Sequence, residues 1–219
     1  MDTPDTIANG MLALFTKEKS SGVGDYMVSA LSGFASFPED LLVLGRDFLD
    51  SDDRGRNQID KIRLISLIKK GATSDDLKKL INLVINEYAK NLSVEQCSRL
   101  LLKLGASSAG SFAFKALFVN QIVSLFFERV IPKFLFSAGM TGILTIGASI
   151  SRSIYTSYDL LEKNPKIYTI LRVNGDLDLL YFIVEKYIDP YLDAIRLQNF
   201  NSPLANEVFD IFIEGVDHA

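Results

Sequence analysis

Residues 134–151 read FLFSAGMTGILTIGASIS, eighteen consecutive positions without a charged side chain. At about 1.5 Å per residue, a helix of this length spans roughly 27 Å, close to the thickness of a bilayer's hydrocarbon core. A second uncharged stretch, ALFVNQIVSLFF, occupies residues 116–127 just before it. We therefore predict two apolar helices, over about 109–130 and 133–163, that form a hydrophobic hairpin at about 109–151.

The predicted hairpin has a charged tip and an apolar body. Charge and proline meet at the tip, in Glu128, Arg129, Pro132 and Lys133. Small side chains recur at helical spacing along the second helix, which would let another backbone approach closely. The residues predicted to enter a bilayer, or else to fill a core, are Phe134, Leu135, Phe136, Ala138, Gly139, Gly142, Ile143, Leu144, Ile146, Gly147 and Ile150.

Outside the hairpin, apolar residues recur every three or four positions, which is typical of amphipathic helices. One predicted helix, over 57–70, carries isoleucines one turn apart and is stopped by Gly71. Further helices are predicted near 36–48, 75–91, 94–104, 176–188, 190–198 and 203–215, with a short one after Pro165. The predicted fold class is all-α, a bundle of about eight to ten helices around a central hydrophobic helical hairpin.

Helix start signals support these boundaries. Ser93 with Gln96 matches a capping box, and Asn164-Pro165 places a capping side chain before a proline in the first helical turn. Asp189-Pro190 and Ser202-Pro203 are predicted to begin the last two helices in the same way. Glycines interrupt residues 1–35, which are predicted to be an irregular N-terminal segment, and residues 36–219 are predicted to form a single helical domain.

The scarcity of cysteine and histidine limits the chemistry of this chain. Cys97 is the only cysteine and His218 the only histidine among 219 residues. An internal disulfide, a Cys/His zinc site, a Ser-His-Asp triad and a Cys-His dyad are therefore excluded. A formal net charge of −4 argues against nucleic-acid binding, which usually needs a basic surface. We predict a protein that is not an enzyme and has no cofactor, no metal site and no nucleic-acid partner.

Carboxylates remain the candidates for catalysis or metal binding. Asp176 and Asp178 lie close together after an Asn-Gly turn. Two carboxylates supply too few oxygen ligands for a metal-binding loop, and Asp176 is predicted to cap the helix that follows. The structural interpretation of this pair is therefore preferred.

Charge is distributed unevenly along the chain. Residues 1–103 hold 14 basic and 15 acidic side chains, whereas residues 104–151 hold only three basic and one acidic. Residues 152–219 hold 6 basic and 11 acidic side chains. Protonation of these carboxylates at low pH would reduce their repulsion from anionic lipid, so anionic membrane lipid is one predicted partner. A cognate protein partner is the other.

No cleaved secretory signal is predicted at the start of the chain. Residues 1–10 carry Asp2 and Asp5 instead of basic residues, and no apolar region of sufficient length follows. The protein is expected to be made in the cytoplasm and, under the membrane hypothesis, to reach a membrane directly or after signal-independent export.

A bundle of amphipathic helices that encloses an uncharged hairpin resembles the pore-forming domains of colicins and similar bacterial toxins. The likeness lies in the overall pattern and in residues 116–151, without a specific shared motif. The family implies voltage-driven or acid-assisted insertion of the hairpin. Two departures are the charged tip and the 68 residues that follow the hairpin here.

Two functions from different classes follow from these observations. The first is a membrane-active bacterial effector or toxin domain that inserts its hydrophobic hairpin into a lipid bilayer. The second is a non-enzymatic helical protein–protein interaction module, in which the same hairpin is a buried core. An enzyme that uses carboxylates alone ranks last.

Overall fold

The computed structural model describes residues 2–15, 54–71, 74–103, 111–129 and 147–216. In these ranges the chain forms nine α-helices and one 3₁₀ turn, without a β-strand. The helices are α1 (Pro4–Leu12), α2 (Arg54–Lys70), α3 (Ser74–Lys90), α4 (Val94–Lys103), α5 (Ser111–Arg129), α6 (Gly147–Lys163), α7 (Pro165–Val173), α8 (Tyr181–Phe200) and α9 (Ser202–Val216), with the 3₁₀ turn at Leu177–Leu180. The predicted all-α fold class is confirmed.

The described helices belong to two compact units. Unit 1 comprises residues 1–19, 81–129 and 184–219, and unit 2 comprises residues 20–80 and 130–183. The division falls within α3 and within α8. Helices α5 and α6, which contain the described parts of the predicted hairpin, are assigned to different units. The prediction of a single helical domain over 36–219 stays a prediction.

Two predicted helix caps are confirmed atom by atom. The backbone N–H of Ser93 donates to Gln96 Oε1 at 2.9 Å, and the N–H of Gln96 donates to Ser93 Oγ at 3.1 Å. This reciprocal pair is the capping box at the start of α4. At the start of α7, Asn164 Oδ1 accepts from the N–H of Ile167 at 3.2 Å, and Pro165 occupies the first turn.

The predicted helix break at Asp189-Pro190 is wrong. Pro190 lies inside α8, which runs without interruption from Tyr181 to Phe200. A proline inside a helix removes one backbone hydrogen bond. The apolar face of α8 continues on both sides of Pro190, with Ile188 and Tyr191 fully buried, and this burial outweighs the lost bond. The helix predicted at 176–188 begins instead as the 3₁₀ turn.

The N-terminal segment is more regular than the sequence predicts. Residues 4–12 form α1, which Thr3 caps by accepting from the N–H of Thr6 at 3.3 Å. Its apolar side, which includes Ile7 and Met11, is buried in unit 1 against α9. Packing therefore overrides the helix-weakening effect of Gly10. The other residues of the predicted irregular segment, 16–35, lie outside the described residues, as does the helix predicted at 36–48.

A close approach explains the glycine in α1. A Cβ atom placed on Gly10 would lie 2.6 Å from Cγ of Pro190, which is closer than real Cβ contacts. The proline ring is rigid and cannot rotate away from the added methyl group. Gly10 thus permits α1 and the proline-containing part of α8 to touch within unit 1.

Gly10→Ala is expected to lower the free energy of unfolding of unit 1 by about 1–3 kcal/mol, because overpacking forces backbone shifts. Urea unfolding followed by circular dichroism measures the change. Asn9→Ala is the control, since Asn9 is exposed on the same helix and surface substitutions usually stay within about 0.5 kcal/mol. Equal stabilities of the two variants would contradict the close contact.

Two tyrosines lie in contact in the core of unit 1. Tyr88 of α3 and Tyr191 of α8 meet edge to face with ring centroids 5.8 Å apart, and both side chains are essentially inaccessible to solvent. Burial raises the pKa of Tyr88 well above 10, and the neighbouring Cys97 raises it further. Burial also raises the pKa of Tyr191, with a further contribution from Tyr88.

These raised pKa values predict a loss of stability at alkaline pH. Above about pH 10 the tyrosines ionise in the unfolded chain but keep their protons in the folded chain, so the free energy of unfolding falls as pH rises. The fall should be smaller in a Tyr88→Phe/Tyr191→Phe variant, which cannot ionise at these positions. Chemical unfolding between pH 8 and pH 11 tests this, and identical slopes in both proteins would refute it.

Candidate functional site

The structure describes only part of the predicted hairpin. Pro132, Lys133 and all the predicted body residues between 134 and 146 lie outside the described residues. Gly147 and Ile150 lie at the start of α6. Glu128 and Arg129 lie in the last turn of α5, at the end of the first arm.

Helix α5 packs into unit 1 through one apolar face. Its fully buried side chains are Phe118, Val119, Ile122, Val123 and Phe126. Among the side chains described from residue 115 onward, the exposed ones are mostly polar and include Asn120, Gln121, Ser124 and Glu128, with Leu117 as an apolar exception at 48% exposure. In the described fold, the first arm of the predicted hairpin is therefore an amphipathic core helix.

Both ends of α5 are fastened to backbone carbonyls. Nζ of Lys115 donates to the carbonyl oxygen of Lys90 at 3.0 Å, at the end of α3. A guanidinium nitrogen of Arg129 donates to the carbonyl oxygen of Leu14 at 2.8 Å, just after α1. Cations are favourable near the C-terminal ends of helices, where carbonyl groups lack partners within the helix.

Among the helices that the structure describes, none is both long enough and apolar enough to cross a bilayer. The same residues contain no group of three or more potential ligands, from His, Cys, Asp and Glu, arranged to hold a metal ion.

The most unusual polar feature of the described residues is a buried ionic group in unit 2, here called the Arg63 cluster (Asp60, Arg63, Asp176 and Asp178). Nε of Arg63 donates to Asp176 at 2.6 Å, and one terminal nitrogen donates to Asp60 at 2.7 Å. The other terminal nitrogen donates to both oxygens of Asp178, at 2.5 and 2.7 Å. One guanidinium thus joins α2 to the turn after α7 and to the 3₁₀ turn.

Burial makes this cluster costly unless it is fully paired. The Arg63 side chain is 9% exposed, Asp60 is 5% exposed and Asp178 is completely buried. Burial by itself lowers the pKa of Arg63, but the hydrogen bonds and charge of Asp178, with the bonds of Asp176 and Asp60, outweigh it and raise that pKa. Arg63 therefore stays charged, and removing one partner would break a buried, hydrogen-bonded ion pair inside the protein.

Backbone conformation positions Asp176 for this contact. Asp176 has a φ of 58°, in the left-handed region, and follows Gly175 with a φ of 116°. Aspartate is one of the few residues that adopt this conformation readily. The residue occupies the N-cap position of the 3₁₀ turn, but its side chain makes no capping hydrogen bond there. The predicted capping role is therefore wrong, because the carboxylate is engaged by Arg63.

Helix α6 is tied to the same cluster by two hydroxyl groups and to the 3₁₀ turn by a third. Oγ of Ser157 donates to Asp178 at 2.7 Å, and the hydroxyl of Tyr158 donates to Asp60. Oγ of Ser153 donates to the carbonyl oxygen of Leu179 at 2.6 Å. We call these three residues the α6 anchor. In the sequence, only Arg152 separates the first of them, Ser153, from the uncharged run 134–151.

The buried face of α6 next to the uncharged run is rich in hydroxyl groups. Ser153, Thr156 and Ser157 are buried there together with Ile154 and Leu160. Hydroxyl groups contribute little to hydrophobic burial, so this part of α6 depends on its hydrogen bonds more than an aliphatic helix would. The helix that continues the uncharged run is thus held by a polar and ionic network.

Comparisons of the whole chain with models of known protein families, with curated protein sequences and with solved structures give no match. The geometry described above therefore carries the functional argument.

Neither the Arg63 cluster nor the α6 anchor was predicted from the sequence. Asp60 and Arg63 stand three positions apart on one helix, and Asp176 and Asp178 stand two apart, so each half was visible as a local pair. What joins the two pairs is a contact across 115 positions, between Arg63 and Asp178. No periodicity or motif in the sequence predicts a contact between residues that are so far apart along the chain.

Asp178→Asn is expected to lower the free energy of unfolding by about 3–5 kcal/mol, because it breaks a completely buried ion pair and its two charged hydrogen bonds to Arg63. Asp210→Asn is the matched control. Asp210 also pairs with an arginine at 2.5 Å, Arg99, but both side chains are about half exposed, so a change of at most about 1 kcal/mol is expected. If urea unfolding showed the same decrease in the free energy of unfolding for Asp178→Asn and Asp210→Asn, burial of the Arg63 cluster would be energetically unimportant.

Proposed function

We propose that this protein is a membrane-active, non-enzymatic effector or toxin domain of bacterial pore-forming type that inserts its hydrophobic hairpin into a lipid bilayer. The inserting segment is the uncharged run 134–151, with the preceding arm in α5. The observation that supports the proposal is the way α6 is held. The helix that continues the run is fastened in unit 2 by the α6 anchor and the Arg63 cluster.

A polar and ionic fastening suits a segment that must leave the folded protein. An aliphatic interface would lose its hydrophobic contribution gradually, whereas a hydrogen-bonded network around one buried charge loses much of its contribution when one partner is removed. Release of the α6 anchor would free the end of the apolar run. The bilayer then offers an apolar environment of matching thickness to residues 134–151.

Dye release from anionic vesicles at pH 7 and pH 4.5 tests insertion. The native protein is expected to release the dye. Ile143→Lys should suppress release, because a lysine at the centre of a membrane span costs about 2.5–3.5 kcal/mol. Leu102→Lys is the control, since Leu102 is 79% exposed on α4, and it should release dye like the native protein.

A second pair of variants tests the fastening. Ser157→Ala removes one hydrogen bond of the α6 anchor and is expected to accelerate release, whereas Ser98→Ala removes an exposed hydrogen bond within α4 and should not. If the native protein released no dye at either pH value, the membrane proposal would be refuted. Unchanged kinetics in Ser157→Ala would remove the α6 anchor from the mechanism.

The second candidate is a helical protein–protein interaction module with the hairpin as buried core. The packing of α5 favours it, because an apolar face of this arm is already buried in unit 1. This candidate predicts a stable complex with a protein partner and no dye release.

A further inference from the structure

Helix α2 presents a row of isoleucines to solvent. Ile59, Ile62 and Ile65 are 55%, 62% and 48% exposed, respectively. Their spacing of three residues places them along one side of the helix. Three exposed aliphatic side chains in one row form a contiguous apolar surface, unlike the single exposed apolar residues that any protein carries. We call this surface the isoleucine row.

The Arg63 cluster determines why the isoleucines face outward. Asp60 and Arg63 lie on the opposite side of α2 and are buried together with Leu64 and Leu67. Because Arg63 donates hydrogen bonds to Asp176 and Asp178, α2 cannot rotate to bury its isoleucines without exposing or breaking the cluster. The orientation of the row is therefore imposed by buried charge.

Helix α2 is also the most basic part of an acidic chain. Residues 54–70 contain six basic side chains and a single acidic one, in a protein of net charge −4. Arg63 and Asp60 neutralise each other in the interior, and the exposed Lys69 and Lys70 stand at the end of the helix. A helix with an apolar row and an excess of basic residues in its sequence is typical of segments that lie on an anionic membrane surface.

We propose that the isoleucine row of α2 is the surface by which this protein attaches to an anionic lipid bilayer. The three isoleucines enter the boundary between headgroups and acyl chains, while the exposed Lys69 and Lys70 contact the negatively charged headgroups. This proposal rests on the membrane function proposed above and supplies its first step, attachment before insertion. Attachment and insertion are measured separately, so that either proposal can fail alone.

Co-sedimentation of the full chain with vesicles measures attachment. Vesicles of phosphatidylcholine mixed with phosphatidylglycerol should bind the protein, and vesicles of phosphatidylcholine alone should bind it much less. Raised salt should weaken binding to the mixed vesicles, because it screens the basic residues. An Ile59→Ser/Ile62→Ser/Ile65→Ser variant should bind at least about tenfold more weakly, since it removes the apolar contact.

A matched control separates the row from exposed apolar surface in general. The variant Val94→Ser/Leu102→Ser/Phe200→Ser replaces three residues that are 69–83% exposed and lie outside α2, and it should bind like the native protein. Circular dichroism is used to check that both triple variants keep their helices. Equal loss of binding in both variants, or none in the α2 variant, would overturn the proposal.

Three other outcomes distinguish lipid attachment by the isoleucine row from self-association and from hairpin insertion. Self-association without lipid that is lost in the α2 variant would make the row an interface between copies and would overturn lipid attachment. Row-dependent binding without dye release would support attachment and refute insertion of the hairpin. Dye release that persists unchanged in the α2 variant would support insertion and refute the role of the row.

Discussion

A single buried guanidinium organises unit 2. Arg63 can remain in the interior only if its charge is compensated, and the compensation comes from carboxylates on three separate segments, α2 itself, the turn after α7 and the 3₁₀ turn. Hydroxyl groups of α6 then complete the hydrogen bonding of two of those carboxylates. The cost of an unpaired buried charge thus fixes the positions of four segments at once.

The orientation of α2 follows from the same constraint. A helix normally buries its aliphatic side and exposes its charges. Here Asp60 and Arg63 are buried, and Ile59, Ile62 and Ile65 are exposed. Exposure of the isoleucines is unfavourable, but rotating α2 to bury them would break the hydrogen bonds of Arg63 to Asp176 and Asp178, which costs more. The isoleucine row, on which lipid attachment is proposed, and the α6 anchor, on which hairpin release is proposed, are therefore two consequences of one buried charge.

Unit 1 is organised differently, by aromatic and aliphatic packing. Tyr88 and Tyr191 meet edge to face in its core. The absence of a side chain at Gly10 allows α1 to approach Pro190 closely. One of its described ion pairs, between Arg99 and Asp210, is about half exposed and contributes little to stability. The contrast supports a division of roles, in which unit 1 is a stable support for α5 and unit 2 contains the groups proposed to respond to a membrane.

The sequence by itself determined the fold class and much of the local structure. Apolar spacing predicted the described helices from α2 to α6 and α9, and the Ser93–Gln96 and Asn164 caps were readable because capping depends on residues three positions apart. Only the tertiary structure decided that α8 continues through Pro190, that α1 is helical, and that Asp176 binds Arg63 instead of capping. Each of these depends on contacts between residues that are far apart in the sequence. Local helix propensity is too weak to predict which of these contacts form.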